Sequence, residues 1–197
     1  MDSEALQEHR QEKDTFFKTS AYSPLTPEQQ AAFDGLRYYE PNPHLDVVVT
    51  VERLPEAAPF LMETTSGDVQ QYRRYGRFSF DVEGQPVSLT IYAGAHGYFL
   101  PFADANAGGE TYGAGRYLDP EPLGNDRFHV DFNLAYSPYC AYGEPQSLSA
   151  RAGREPIRWS CPITPAENRL SVAIRAGEMT PKGPWVDSEE PGDRGEW

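Results

Sequence analysis

The chain has 197 residues, with 17 Lys and Arg against 30 Asp and Glu, for a formal net charge of −13. That length buries a core without staples, and that charge excludes the basic stripe by which proteins hold nucleic acid. Gly and Pro fill 35 of the 197 positions, which excludes a long helical bundle and favours a loop-rich β architecture.

Residues 3–18 read as a helix anchored by Leu6, Phe16 and Phe17. At Thr26-Pro27-Glu28-Gln29, Thr26 suits the N-cap, Pro27 the first helical position and Gln29 the reciprocal partner of a capping box. Gly35 is the expected C-terminal stop of that short helix. The first 36 residues are thus expected to form a helical lead-in packed on the main domain.

From Leu45 the period of the apolar residues becomes two, the signature of half-buried strands. Val47, Val49 and Val51 begin it. Phe78, Phe80 and Val82, then Val87, Leu89 and Ile91, flank Glu83-Gly84-Gln85-Pro86, so residues 77–92 predict a hairpin. Phe128, Val130, Phe132 and Leu134 form a fourth run, and Leu170, Val172 and Ile174 a fifth. Weaker candidates are 59–63, 69–75, 97–102 and 115–118. The pattern predicts a mainly β fold, an antiparallel barrel or sandwich of about eight strands over residues 37–180. Residues 181–197 read as a flexible acidic tail.

The acids crowd the ends: residues 1–14 carry −3 and 186–197 carry −4. Only three Lys stand beside fourteen Arg. This composition fits either a protein adapted to high salt, where self-repulsion is screened, or an ordinary acidic protein. The N-terminus shows no secretory signal, and no apolar run approaches the ~20 residues of a membrane span. Cys140 and Cys161 lack zinc-ribbon spacing. They could pair, stay free or join His129 at a metal, and the simplest expectation is reduced thiols in a soluble cytoplasmic protein.

Three stretches could carry chemistry. The first runs from Asp104 to Leu118 and has four Gly between 108 and 115, a loop able to approach a ligand closely. It would present Glu110, Tyr112 and Arg116, and it lacks the Gly-Lys-Ser/Thr of a phosphate loop. In the second, His129, Asp131 and Asn133 would share one strand face, where a carboxylate could orient the imidazole as a general base. The third gathers Tyr136, Tyr139 and Tyr142, with Glu167 and Asn168 following. Phenol rings of this kind line a pocket or pack a corner.

Several strings, in order, carry a resemblance. They are Glu110 to Leu118, Asp131 to Tyr136, Pro138-x-Cys140-Ala141, Cys161-Pro162, Glu167 to Leu170 and Ala176-Gly177-Glu178. Together they resemble the family catalogued as domain of unknown function 1684, over roughly residues 8–181. The resemblance implies no activity or cofactor, and it implies an insertion such as Gln146 to Arg158 between the cysteines. It singles out Glu110, Tyr112, Arg116, Asp131, Asn133, Tyr136, Glu167, Asn168 and Glu178 as a polar signature. Such a set implies either a shared pocket or a buried network.

Three readings follow. In the first, a β domain binds a small anionic metabolite at a pocket around the Gly-rich loop, with Arg116 gripping the anion. In the second, Glu110 or Asp131 is the general base of a hydrolase or isomerase. In the third, the signature is an internal network in a non-catalytic domain, with Arg116 buried against Asp131 or Glu178. A flavin-binding split barrel matches the strand count but brings no phosphate signature.

Overall fold

Helix α1 spans Ser3–Thr19 and helix α2 Pro27–Ala32 in the computed structural model, which describes residues 2–55, 59–142 and 159–186. Asp2 caps α1 by accepting from the Glu4 and Ala5 amides. Thr26 and Gln29 form the capping box of α2 in both directions. Gly35 is not the stop expected of it. The helix ends one residue earlier, with Phe33 as an extended C-cap, because Phe33 turns inward to pack on Phe17 and Trp185.

Nine strands follow among the described residues: β1 Asp46–Thr50, β2 Glu52–Arg53, β3 Phe60–Glu63, β4 Val69–Val82, β5 Gln85–Gly94, β6 Gly97–Phe102, β7 Arg116–Leu118, β8 Glu121–Gly124 and β9 Arg127–Asp131. They make two antiparallel sheets. One has the order β1-β9-β8. The other has the order β2-β4-β5-β6-β7, with β3 paired to the outer half of β4. The sheets do not close into a barrel and are arranged as a sandwich. Val49, Val51, Phe78, Leu89, Ile91, Leu100, Phe128 and Val130 fill the space between them, with their polar neighbours turned outward as the period-two pattern requires.

The β4–β5 hairpin turns on Glu83 and Gly84, both with positive φ, the backbone that matches the twist of the flanking strands. The weaker strand candidates are all present, as β3, part of β4, β6 and β7. Two expectations fail. Residues 170–174 bury Val172 and Ile174 yet form no strand. The Leu170 amide donates to the Ala103 carbonyl at 2.7 Å and the Val172 carbonyl accepts from the Ala105 amide at 3.0 Å, but the Ile174 amide then turns to Asp104 Oδ2 at 2.7 Å and the ladder goes no further. Strand β9 also stops at Asp131, and Phe132–Leu134 form a 3₁₀ turn capped by that aspartate.

A second apolar cluster unites Phe17, Leu25, Phe33, Tyr142 and Trp185, so the lead-in lies against the C-terminal segment. Trp185 is 2% exposed, and residues 181–186 are therefore anchored instead of free. The rest of the expected tail, 187–197, and the insertion Gln146 to Arg158 lie outside the described residues. Cys140 and Cys161 are joined as a disulfide, which corrects the expectation of free thiols. The contact is non-local: Thr65 accepts from the Cys161 amide at 3.2 Å and donates its own amide to the Cys161 carbonyl at 2.9 Å. This holds Cys161 beside the turn that carries Cys140. Among the described residues no helix is long and apolar enough to cross a membrane.

Candidate functional site

Arg116 begins β7, directly after Gly115 at φ +107°. A Cβ at Gly115 would come within 2.6 Å of the Phe102 carbonyl, so only glycine lets β7 approach β6 this closely. The consequence for Arg116 is full burial, at 1% exposure. Its guanidinium donates to the carbonyls of Ala176, Glu178 (3.0 Å) and Ile174 (2.8 Å), and Asp104 lies 3.6 Å away. Burial lowers its pKa, and Asp104, Tyr39 and Glu178 oppose that shift. Arg116 is thus a fastener of the 174–178 segment and faces no cavity. The expected buried partner, Asp131 or Glu178, is replaced by the Asp104 carboxylate; Glu178 supplies only its backbone carbonyl.

Glu178 is itself 2% exposed. Its carboxylate takes Lys13 of α1, the Ser137 amide at 2.9 Å and the Tyr142 hydroxyl at 2.6 Å. Asn133 and Asn168 each imitate a peptide group. The Asn133 amide accepts from the Asn42 N–H at 2.7 Å and donates to the Asn42 carbonyl at 2.9 Å. The Asn168 amide accepts from the Thr90 N–H at 2.8 Å and donates to the carbonyls of Thr90 (2.9 Å) and Pro101 (2.7 Å). The β5–β6 register reaches only to Tyr92 and Phe99, and Pro101 beyond it has no N–H to offer. Asn168 supplies the missing donor.

The other signature residues are dispersed. Glu167 accepts from Arg74 and from the Tyr92 hydroxyl, each at 2.7 Å. Burial alone would raise its carboxyl, but these two donors outweigh burial and hold it below its ordinary value. Glu110 is exposed and accepts from Tyr39 at 2.9 Å; burial and that carboxylate push the Tyr39 phenol up to about 12. Tyr112 is half-buried in the same loop. Asp131 accepts from the amide and side chain of Asn133, so the expected row of His129, Asp131 and Asn133 is broken. His129 instead pairs with Asp46 across the strands at 2.5 Å.

The Gly-rich loop is pinned rather than open. Thr111 donates to Asp104 at 3.0 Å, and the Thr180 amide to the Glu110 carbonyl at 2.8 Å. Asp104, absent from the sequence-derived signature, links this loop, Arg116 and Ile174.

A groove of about 730 Å³ lies elsewhere, between α1 and the end of the six-stranded sheet. One wall is a continuous run of rings: Tyr72 on Phe99 at 5.4 Å, Phe99 on Tyr117 at 4.9 Å and Tyr117 on Tyr136 at 5.8 Å. The other wall is Phe17, Tyr139 and Trp159, with Tyr139 and Trp159 centred 4.9 Å apart. Lys13 reaches across, with Nζ 5.0 Å from the Tyr136 ring centre and 5.7 Å from that of Phe17. The indole N–H of Trp159 is buried and has no hydrogen-bond partner among the described residues. Of the nine signature residues, Tyr136 alone lines this groove. Among the described residues no group of three or more His, Cys, Asp and Glu forms a metal-ligand set.

An uncharacterized protein of Haloarcula marismortui, whose structure was determined by NMR in solution, is similar to this chain. It is 35% identical, with 90% of this chain and 93% of that one covered, and a TM-score of 0.62. No curated protein matches the chain. The family profile described as protein of unknown function (DUF1684) matches residues 31–179, and the chain belongs to that family.

Proposed function

We propose that the chain is a non-catalytic, small-molecule-binding β domain whose ligand occupies the aromatic groove and not the Gly-rich loop. The observation that carries this reading is the groove itself: about 730 Å³, rings on both walls, and a buried indole N–H without a partner among the described residues. Its volume falls in the range of small-molecule sites, which are mostly apolar with a few convergent polar groups. The anion grip assigned to Arg116 is not available, because its two terminal nitrogens are spent on backbone carbonyls. Neither Glu110 nor Asp131 lines the groove, so neither carboxylate stands where a general base would meet a ligand there. The buried signature residues hold the chain ends to the sheets, and the rings do the binding. Fragment screening by ¹⁵N NMR tests this. Hits are expected to move the Trp159 indole and the Tyr72 and Tyr136 amides. Hits confined to residues 108–115, or none at all, would remove the reading.

The acidic surface is best read as an adaptation to salt, supported by three Lys against thirty acids and by a similar protein from a halophile. Cations screen that self-repulsion. The melting temperature should rise between dilute buffer and molar KCl, and equal stability in both would refute the adaptation.

A further inference from the structure

We infer that the ligand of the groove is an organic cation with an apolar body, of the quaternary ammonium class. This deepens the proposed function and rests on the groove being the ligand site.

The first ground is what the groove is made of. Aromatic faces carry negative quadrupole charge and attract cations, most strongly where water is displaced. Here four rings adjoin on one wall and three stand on the other. The second ground is that the protein already seats a cation between these walls. Lys13 Nζ lies over both Tyr136 and Phe17, with Glu178 as its counter-ion. Its charge is thereby matched, and it leaves no net positive field to draw an anion.

The third ground is the sign of the remaining charge. Glu12 of α1 is exposed at the groove. Behind Tyr136, Asp119 accepts a hydrogen bond from the phenol O–H at 3.0 Å. A phenol donating to a carboxylate is polarised toward its ring, which strengthens that ring as a cation receptor. An anionic ligand would meet Glu12 and gain nothing from Lys13. A neutral ligand would gain burial alone.

The test uses the full chain and three probes at constant ionic strength: choline, its uncharged isostere 3,3-dimethyl-1-butanol, and 1-naphthalenesulfonate. Affinity is read from NMR shifts of the Trp159 indole and the Tyr136 amide. Choline is expected to bind about tenfold more tightly than the isostere, in keeping with a partly desolvated cation–π contact. Glu12→Gln should lower choline affinity about two- to threefold and leave the isostere unchanged. That substitution falls on an exposed helical position and is neutral to folding. If the isostere matches choline, or if the sulfonate binds best while moving the same groove resonances, the cation inference is overturned and the groove reading stands. If no probe moves those resonances, both fall.

Discussion

Lys13 of α1 and Glu178 form an ion pair between residues 165 positions apart, and the Glu178 side chain is 2% exposed. The carboxylate is not content with Lys13 alone, since it also receives Ser137 and Tyr142. Removing the cation leaves a buried charge with only neutral donors, the situation in which breaking a pair costs most. Lys13→Met should destabilise the chain by about 3 kcal/mol in urea unfolding. Adding Glu178→Gln, which keeps acceptors for Ser137 and Tyr142, should restore more than half of the loss. A double variant no better than the single one would show that the pair acts through packing.

The buried side of the sheets contains a sharper case. Asn168 is fully buried and offers its amide nitrogen to two carbonyls, Thr90 and Pro101. Asn168→Asp keeps the shape and turns that donor into a carboxylate oxygen facing both. Burial of unmatched charge then adds to the lost bonds. Loss should exceed that of Asn168→Ala, itself about 1–3 kcal/mol, when both are compared in thermal melts. A loss for Asn168→Asp smaller than that for Asn168→Ala would mean that the amide only fills space.

How much of this was legible in the sequence depends on range. Thr26 and Gln29 are three residues apart, and their box is local chemistry, so it reads correctly. The β4–β5 hairpin reads for the same reason. Leu170, Val172 and Ile174 alternate in burial as expected, yet form no strand, because only two backbone bonds join them to residues 103–105 before Asp104 takes the Ile174 amide; a hydropathy pattern is blind to who accepts the hydrogen bond. The polar signature came from the family resemblance, and Arg116, Asn133, Asn168 and Glu178 are indeed buried and partnered. Spacing could not say whether they face a cavity. The groove was missed because its walls come from α1, β4, β6, β7 and two loops. The one available signal was the density of Tyr at 117, 136 and 139.

Acid sensitivity should concentrate at Glu167. Its folded carboxyl is held below its ordinary value because Arg74 and Tyr92 outweigh burial. Such a group contributes stability in full above its unfolded pKa, near 4.3, and loses it as pH falls through the folded value. Glu167→Gln should therefore cost about 1 kcal/mol at pH 7, allowing for solvent at a pair with Arg74 still 35% exposed. The cost should shrink steadily below pH 4. A penalty that stays constant down to pH 2 would mean that the glutamate acts without its charge.

The disulfide supports the groove on one side only. Cys140 lies in the 3₁₀ turn Tyr139–Tyr142, while Cys161 is also held to Thr65, whose amide donates to the Cys161 carbonyl and whose hydroxyl accepts from the Cys161 amide. Reduction should thus free Tyr139 from Trp159 while leaving the Cys161 segment against β3. The cysteines are 21 positions apart, and a loop of that size contributes about 3 kcal/mol by constraining the unfolded chain. Dithiothreitol should lower stability by about 2–4 kcal/mol and shift the Trp159 indole, with little change at the Thr65 amide. The variant Cys140→Ser with Cys161→Ser should start at the reduced stability and ignore the reductant. Melting curves indifferent to reductant in the parent chain would show that the bond constrains nothing.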